Sequence, residues 1–240
     1  MRYWFFPESR KTVSDRFSKA LCPKVTEVFV RLKCLLFCVL FLCLALSGVP
    51  ALADTSVPIQ NASFETTSSV LGPGVYNYGP IPGWTMIGTG GSWQPNSSYY
   101  NLPLPDGNVV AFSSGSLSQT LTGVSLQPNS SYTLTVAVGN RLDGFTSNGQ
   151  YTIQLDAGST VLATVTGSNS SITPGTFMDV VLTYTTGGTV TPGDLAIVLS
   201  TSGSQSNFDN VRLAVPEPSS LSLMLVGLAF AGLLSRFLQS

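Results

Sequence analysis

Apolar and polar residues alternate with a period of two through most of the chain between residues 54 and 214. In residues 132–138 the apolar side chains alternate with threonines, and the alternation recurs in 151–155, 178–184 and 195–199. Half-buried β-strands produce this pattern because successive side chains point to opposite faces of a sheet, and Thr and Val favour strands. The pattern predicts an all-β module of about eight to ten short strands.

Turn-forming residues separate the alternating runs. Gln127-Pro128-Asn129 precedes one predicted strand, Ala157-Gly158-Ser159 lies between two others, and Thr191-Pro192-Gly193 precedes a fourth. No amphipathic helical stretch of ten residues interrupts them. We therefore predict a single antiparallel β-sandwich, a jelly roll, over residues 54–214.

The stretch from residue 70 to 105 departs from this pattern and is rich in Gly, Pro, Asn and aromatic residues. Aromatic loops either plug one end of a sandwich or form a contact surface. Trp84 follows Pro-Gly and is expected mainly in the core. For a sugar site, aromatic faces would meet pyranose C–H groups, and Asn or Asp would meet hydroxyls. The candidate ligand-binding residues are Trp84, Trp93, Tyr99, Tyr100, Asp106 and Asn140.

The module carries few charges, and most of them are acidic. It has no Lys and no His, and its two arginines, Arg141 and Arg212, stand against eight Asp and Glu residues. Binding to phosphate backbones needs clustered Lys or Arg, so we expect no nucleic-acid partner.

The N-terminal segment has the order of a secretory signal peptide. Arg31 and Lys33 precede an apolar run over 35–46, and Ala51-Leu52-Ala53 follows it. We expect residues 1–53 to be a signal peptide with a long leader, cleaved before Asp54. All four Cys lie in this leader, so the mature protein would lack both Cys and His. That excludes Ser-His-Asp triads, Cys-His dyads and ordinary zinc-hydrolase sites.

The C-terminal segment, 215–240, has three parts in a fixed order: Pro216-Glu217-Pro218, an apolar run over 221–234, and Arg236. This arrangement resembles the PEP-CTERM sorting signal of Gram-negative bacteria. The resemblance implies recognition of Pro-Glu-Pro by an exosortase, a membrane transpeptidase. It also implies transient anchoring in the inner membrane by a hydrophobic helix, stopped by Arg236. The protein would then reach the cell surface or the extracellular space.

Two carboxylates suggest a metal site. Asp209 shares its parity with Val211 and Leu213, which we expect to face inward, and a carboxylate facing a core needs a cation or donors. In a sandwich whose first and last strands are close, Glu65 could meet Asp209, and two carboxylates with loop carbonyls suit Ca²⁺. Alternatively, Asp209 pairs with Arg141 or caps a turn, and Glu65 is solvated.

Several short motifs resemble the galactose-binding-like jelly rolls of surface proteins and carbohydrate-binding modules. They are Asn61-Ala62-Ser63-Phe64-Glu65, Ile81-Pro82-Gly83-Trp84, Pro105-Asp106-Gly107-Asn108 and Phe208-Asp209-Asn210-Val211. With residues 138–143 and 204–211, they are also similar to the calcium-dependent Stig cyclases of cyanobacterial indole-alkaloid biosynthesis. The resemblance implies the sandwich fold and a structural Ca²⁺ held by Glu65 and Asp209. Those cyclases use a carboxylic acid and an aromatic-lined pocket.

Three functions remain open at this point. We favour a surface or matrix protein that binds glycan, such as a secreted exopolysaccharide. This function requires no catalytic residue. The alternative is a calcium-dependent cyclase or lyase with Asp209 as its acid. If calcium occupies Asp209, however, the closing motif keeps no acid, because Asn210 cannot donate a proton. A purely structural, self-associating matrix protein is the third possibility.

Overall fold

The computed structural model describes residues 54–216, which form twelve β-strands and one short 3₁₀ helix at Asn169–Ser171. The strands are β1 (Asp54–Val57), β2 (Tyr76–Tyr78), β3 (Thr85–Ile87), β4 (Gly90–Trp93), β5 (Val110–Ser113), β6 (Ser116–Ser125), β7 (Ser131–Asn140), β8 (Gln150–Ala157), β9 (Thr160–Ser168), β10 (Thr176–Thr185), β11 (Asp194–Ser202) and β12 (Ser206–Pro216). The described residues contain no α-helix.

The strands form two antiparallel sheets that pack as a sandwich, which confirms the predicted fold class. The seven-stranded sheet has the order β10-β7-β12-β5-β4-β2, and β1 also pairs with β12. The five-stranded sheet has the order β3-β6-β11-β8-β9. Several neighbours in the sheets come from distant parts of the sequence, such as β5 with β12 and β6 with β11, so the fold depends on long-range pairing.

The main core lies between the sheets, where the inward members of the alternating runs meet. Leu134 and Val136 of β7 are fully buried against Ile153 of β8 and Ile197 of β11. Thr133 and Thr135 take outward positions of β7, as the alternation predicts. Burial of such side chains contributes about 1.5–3 kcal/mol each.

A second, smaller hydrophobic cluster lies on the other face of the seven-stranded sheet. β5 supplies both sides: Ala111 belongs to the main core, whereas Val110 and Phe112 belong to the outer cluster. The other buried members of the outer cluster are Trp93, Tyr100 and Leu104. The connection between β4 and β5 therefore folds back over the sheet and covers this face.

β12 is the organising strand of the seven-stranded sheet. One edge pairs with β7 along most of its length, and the other edge is shared by two strands. β5 pairs with residues 206–208, and β1 pairs with residues 213–216. Between them the register shifts at Asp209–Arg212, and Asn210 adopts a left-handed conformation with φ of 47°. This bulge leaves ladder positions open for loop segments.

The bulge corrects our expectation that Asp209 shares a face with Val211 and Leu213. Phe208, Val211 and Leu213 all lie in the main core. The register shift places Val211 on the same face as Phe208, so Asp209 takes the opposite, outer face. It is nevertheless fully buried, because the β4–β5 connection covers it.

The strand count also exceeds the expected eight to ten. The additional strands include β2, β3 and β4, which have three or four residues each and lie within the stretch expected to form aromatic loops. Three residues show too little alternation to be detected. The predicted leader (1–53) and most of the sorting segment, including Glu217, Pro218 and Arg236, lie outside the described residues. Residues 54–216 contain no helix able to cross a bilayer.

Candidate functional site

A row of residues runs across six strands on the outer face of the seven-stranded sheet. The strand register places in line, from β10 to β2, Phe177, Gly139, Asn207, Phe112, Gly91 and Tyr78. Gly139 leaves room for two neighbouring rings. A Cβ on Gly139 would lie 2.6 Å from both the Phe177 ring and the Tyr100 hydroxyl.

An aromatic cleft of about 210 Å³ opens beside this row. Tyr76 and Tyr78 project from the edge strand β2, are more than half exposed, and stack edge-on against Phe112 at ring-centroid distances of 6.2 and 5.3 Å. The complete lining is Gly74, Tyr76, Tyr78, Trp93, Tyr99, Phe112, Arg141, Phe145 and Gln205. The cleft therefore offers aromatic surfaces with one guanidinium and one amide at its rim.

The Arg141 guanidinium lies among three aromatic rings of the cleft. Its Cζ atom is 4.7 Å from the Trp93 centroid, 4.8 Å from Tyr99 and 4.9 Å from Phe145. Asp143 accepts hydrogen bonds from both Nε and Nη2 of Arg141, which neutralises its charge locally. Cation–π contacts contribute roughly 0.5–2 kcal/mol, so this arrangement fixes one wall of the cleft.

Below the cleft, a buried polar pair lies within the outer cluster. The Tyr100 hydroxyl donates to Oδ1 of Asn207 at 2.9 Å, and both residues are buried. Burial raises the pKa of Tyr100, so the phenol stays protonated. The Asn207 side-chain nitrogen has no hydrogen-bond partner within the described part of the chain. An unpaired buried donor is costly, about 1–3 kcal/mol.

Asp209 lies two residues further along β12, beneath the Asp106–Val109 segment. Its carboxylate accepts hydrogen bonds from the backbone N–H of Asp106 at 3.1 Å and of Asn210 at 2.7 Å. Burial is the main reason that its pKa rises to about 8, and the neighbouring Asp106 and Glu65 charges add to the rise. At neutral pH the carboxyl is therefore mostly protonated in the metal-free protein.

Glu65 binds the other end of the same segment. Its Oε1 accepts the backbone N–H groups of Asn108 at 2.7 Å and Val109 at 2.6 Å. Gly107 adopts a φ of 65°, and any Cβ there would collide with the Glu65 carboxylate. The segment thus links Glu65 to Asp209. The alternative pairing of Asp209 with Arg141 is absent, since Arg141 binds Asp143.

The chemistry of this loop suits a hard cation in part. Asp209 is a buried carboxyl beside two other acids, and carboxylate and carbonyl oxygens are the ligands that Ca²⁺ takes. Within residues 54–216, however, no three or more Asp, Glu, His or Cys side chains are grouped closely enough to hold a metal ion. Glu65 and Asp209 could supply two ligands, and carbonyls would have to complete the shell.

The structure brings together only some of the candidate ligand-binding residues. Trp93 and Tyr99 line the cleft, and Tyr100 lies beneath it. Trp84 belongs to the main core, where its Nε1 donates to the Asn61 carbonyl at 3.2 Å. Asp106 is exposed on the loop above Asp209.

Asn140 is buried, and its side chain forms hydrogen bonds to two loops. Its side-chain nitrogen donates to the Ile172 carbonyl at 2.9 Å, and its Oδ1 accepts from the Thr146 hydroxyl at 3.1 Å. These bonds hold the β7–β8 connection beside the cleft and leave the side chain turned away from solvent.

Several residues that line the cleft were not among the candidates predicted from the sequence. The Tyr76-Asn77-Tyr78 spacing places two aromatic rings on one face of a strand, which was a usable signal. Phe112 and Gln205 carry no local signal, because only the pairing of β5 with β12 brings them together.

Comparison with known proteins gives the family. The model of the HpiC1-like family, described as HpiC1 cyclase, matches residues 55–214, which is the whole sandwich. The chain belongs to the HpiC1 cyclase family. None of the curated proteins matches it significantly.

Solved structures of this cyclase family share the fold over almost their full length. A Stig cyclase from Fischerella sp. TAU, in complex with (3Z)-3-(1-methyl-2-pyrrolidinylidene)-3H-indole, is 32% identical with a TM-score of 0.59, covering 69% of this chain and 100% of its own. An apo cyclase from Fischerella sp. is 31% identical with a TM-score of 0.58, covering 68% and 97%. A Fischerella sp. TAU cyclase in complex with 4-(1H-indol-3-yl)butan-2-one is 33% identical with a TM-score of 0.56, covering 68% and 99%.

The C-terminal segment carries a PEP-CTERM protein-sorting motif, which matches residues 214–236. The motif indicates an exported protein that an exosortase processes at the membrane. The match begins inside β12, at Ala214, so the sorting segment follows the sandwich without a linker.

Proposed function

We propose that this family member is an exported binding module whose aromatic cleft takes a neutral sugar ring of an extracellular glycan. The observation that carries the proposal is the composition of the cleft lining. It offers exposed tyrosine rings, one amide and one neutralised guanidinium, and none of its lining residues is an acid. Such a lining can bind a ring by stacking and by hydrogen bonds, and it presents no carboxylate and no imidazole to a ligand.

The size of the cleft supports a small ligand or one unit of a longer chain. At about 210 Å³ it lies below the roughly 300–1,000 Å³ common for small-molecule pockets. Tyr76 and Tyr78 stand exposed at the sheet edge, where a ring can stack without entering an enclosed cavity. Gln205, the tyrosine hydroxyls of the lining and the Arg141 N–H groups that Asp143 does not accept are the polar groups available to sugar hydroxyls.

The test uses the two tryptophans of a protein spanning residues 54–216. Trp93 lines the cleft and Trp84 lies in the core, so a ligand in the cleft should change the emission of Trp93 alone. We expect neutral oligosaccharides to change the emission of the unaltered protein and not that of Trp93→Phe. Calorimetric titration gives the affinity independently. A glycan panel without any binding, with and without Ca²⁺, would refute the proposal.

A second candidate function is a cyclase acting on indole compounds. Family membership favours it, and two solved relatives hold indole compounds. Asp209 is the candidate acid, although it does not line the cleft. A cyclisation without cofactor leaves the mass unchanged. After incubation of 3-substituted indoles with the protein, chromatography should therefore show an isomer of equal mass. Incubation with the Asp209→Asn variant should not form this isomer. Indole binding without an isomer would favour a binding role.

We further propose that Glu65 and Asp209 contribute to a structural Ca²⁺ site. The linked Asp106–Val109 segment and the buried Asp209 carboxyl support it. A bound cation would keep Asp209 ionised and would fix the loop that covers the outer cluster.

For the tail, we propose recognition of Pro216, Glu217 and Pro218 by an exosortase, with Arg236 ending an inner-membrane anchor before release to the cell surface. The sorting-motif match supports this route. Pulse-chase analysis in a host with the exosortase should show a shortened product. The product should disappear in Glu217→Gln and in a host that lacks the enzyme. Persistence of the product in both cases would exclude exosortase processing.

A further inference from the structure

The two predicted processing points of the chain meet at one end of the sandwich. Asp54, the first residue after the expected signal-peptide cleavage, pairs directly with Pro216, the first residue of the Pro-Glu-Pro motif. β1 and β12 stay paired through Val57 and Leu213. The sorting motif therefore starts on a strand that is held in the fold from both sides, by β1 and by β7.

Two loops surround this point. Ala214 pairs with Thr133 of β7, so Ser131 lies at the level of Pro216, and Ser131 in turn pairs with Thr185 of β10. The loops that continue these two strands, 126–130 and 186–189, hold each other through Asn129 and Gly187. We call Asp54, Pro216 and these two loops the junction end.

The surface of the junction-end loops is exposed and uncharged. Gln127, Pro128 and Asn129 form the tip of one loop, and Gly187 and Gly188 lie in the other. Neither loop contains an acidic or basic residue, so Asp54 is the one charged residue of the junction end. Approach to a membrane surface or to a membrane-embedded protein costs less when few charges must lose their hydration.

The aromatic cleft lies towards the other end of β12. Gln205 precedes the strand, Asn207 pairs with Phe112 of the cleft, and Pro216 closes the strand. At about 3.3 Å per residue, the nine to eleven residues that separate Asn207 and Gln205 from Pro216 span roughly 30–36 Å. A partner at the junction end therefore does not cover the cleft.

From this geometry we propose that the junction end is the surface that faces the membrane while the tail is attached, so that the folded sandwich is presented directly to the membrane-embedded sorting enzyme. The cleft stays open to the exterior while the tail is still attached. The proposal rests on the sorting of the tail and is independent of the ligand. Because no linker separates β12 from the motif, the enzyme must accept the sandwich at close range.

Accessibility of single cysteines in spheroplasts tests this arrangement. Gly188→Cys reports on the junction end, where a Cβ meets nothing within 4 Å, and Phe145→Cys reports on the cleft rim. The full-length chain is expressed in a host that lacks the exosortase, so the tail is retained. A maleimide carrying a long polyethylene-glycol chain is the probe, and the chain without an added Cys gives the background.

We expect Gly188→Cys to react several-fold more slowly than Phe145→Cys, and both to react equally after detergent solubilisation. A flexible Gly/Ser linker of about ten residues inserted between Val215 and Pro216 has a mean reach of roughly 16–19 Å. It should restore the reactivity of Gly188→Cys. Equal rates at both positions in spheroplasts, or a junction end that stays slow despite the linker, would overturn the proposal. Absence of tail processing in the host with the enzyme would contradict the sorting itself, not the orientation.

Discussion

Replacing Asp209 with Asn should remove a large pH dependence from the stability of the metal-free module. The buried carboxyl has a pKa of about 8 in the folded protein and an ordinary value of 3.8 when unfolded. Because the folded state holds its proton more tightly, stability is greatest below about pH 4. It then falls as the pH rises towards 8 and is constant above that.

The slope follows from one proton. Between these pKa values the folded protein binds one more proton than the unfolded chain, so the free energy of unfolding falls by about 1.4 kcal/mol per pH unit. From pH 5 to 7 the loss is about 3 kcal/mol. That is a substantial part of the roughly 5–15 kcal/mol that stabilises a typical domain.

Urea unfolding of residues 54–216 in EDTA, followed at several pH values between about 5 and 7, measures this slope. Asp209→Asn keeps the shape of the side chain without the titration, so the difference between the two proteins isolates this carboxyl from other acids such as Asp156. Glu65→Gln is the matched control at the other end of the loop and should keep most of the slope.

Calcium gives the second arm of the same experiment. A cation that binds the carboxylate should flatten the slope of the unaltered protein and stabilise it by about 2.7 kcal/mol at a hundred times its Kd. Asp209→Asn should gain little, and Glu65→Gln should need more Ca²⁺. If the unaltered protein and Asp209→Asn lose stability in parallel without metal, Asp209 is ionised when folded and the reasoning is wrong. Equal stabilisation of both by Ca²⁺ would exclude Asp209 as a ligand.

Three further predictions concern the outer face and the core. Tyr100→Phe removes the hydrogen bond that the buried Asn207 amide accepts, so urea unfolding should show that the free energy of unfolding falls by about 1–3 kcal/mol. Asn207→Leu added to Tyr100→Phe should recover part of that free energy. A further loss in the double variant would contradict this account. Arg141→Lys keeps the charge and loses the planar stacking, so thermal unfolding should show that the free energy of unfolding falls by roughly 1–2 kcal/mol. An unchanged unfolding midpoint would mean that the aromatic rings stabilise this wall of the cleft without the guanidinium. Phe208→Ala should cost about 3–5 kcal/mol in urea unfolding, and a loss below 1 kcal/mol would contradict its assignment to the core.

The long strands were predictable from sequence because their alternation is strong. In residues 132–138 every apolar position that the pattern assigns to the core is buried, and the outward-facing Ala137 is buried as well. The three-residue strands β2 and β3 were not predictable, because their pairing depends on β4 and β6 rather than on their own residues.

The candidate site was predictable only in its chemistry. Asp209 and Glu65 were singled out as a linked pair, but the bulge that turns Asp209 to the outer face depends on Asn210, and no local pattern marks it. The aromatic stretch suggested either a plug or a contact surface, and its Trp93 and Tyr99 line the cleft. Trp84 of this stretch packs in the main core and Trp93 in the outer cluster beside the cleft, because the two residues lie on different sides of the seven-stranded sheet.

The separation of the two hydrophobic clusters by one sheet has an evolutionary consequence. In β5, Ala111 belongs to the inner core, whereas Val110 and Phe112 belong to the outer cluster. Substitutions at outward positions can therefore change what the cleft accepts while the inner core keeps the fold intact. A lineage that inherits this scaffold can exchange one ligand for another, or lose a reaction and retain binding, through a few outward-facing residues.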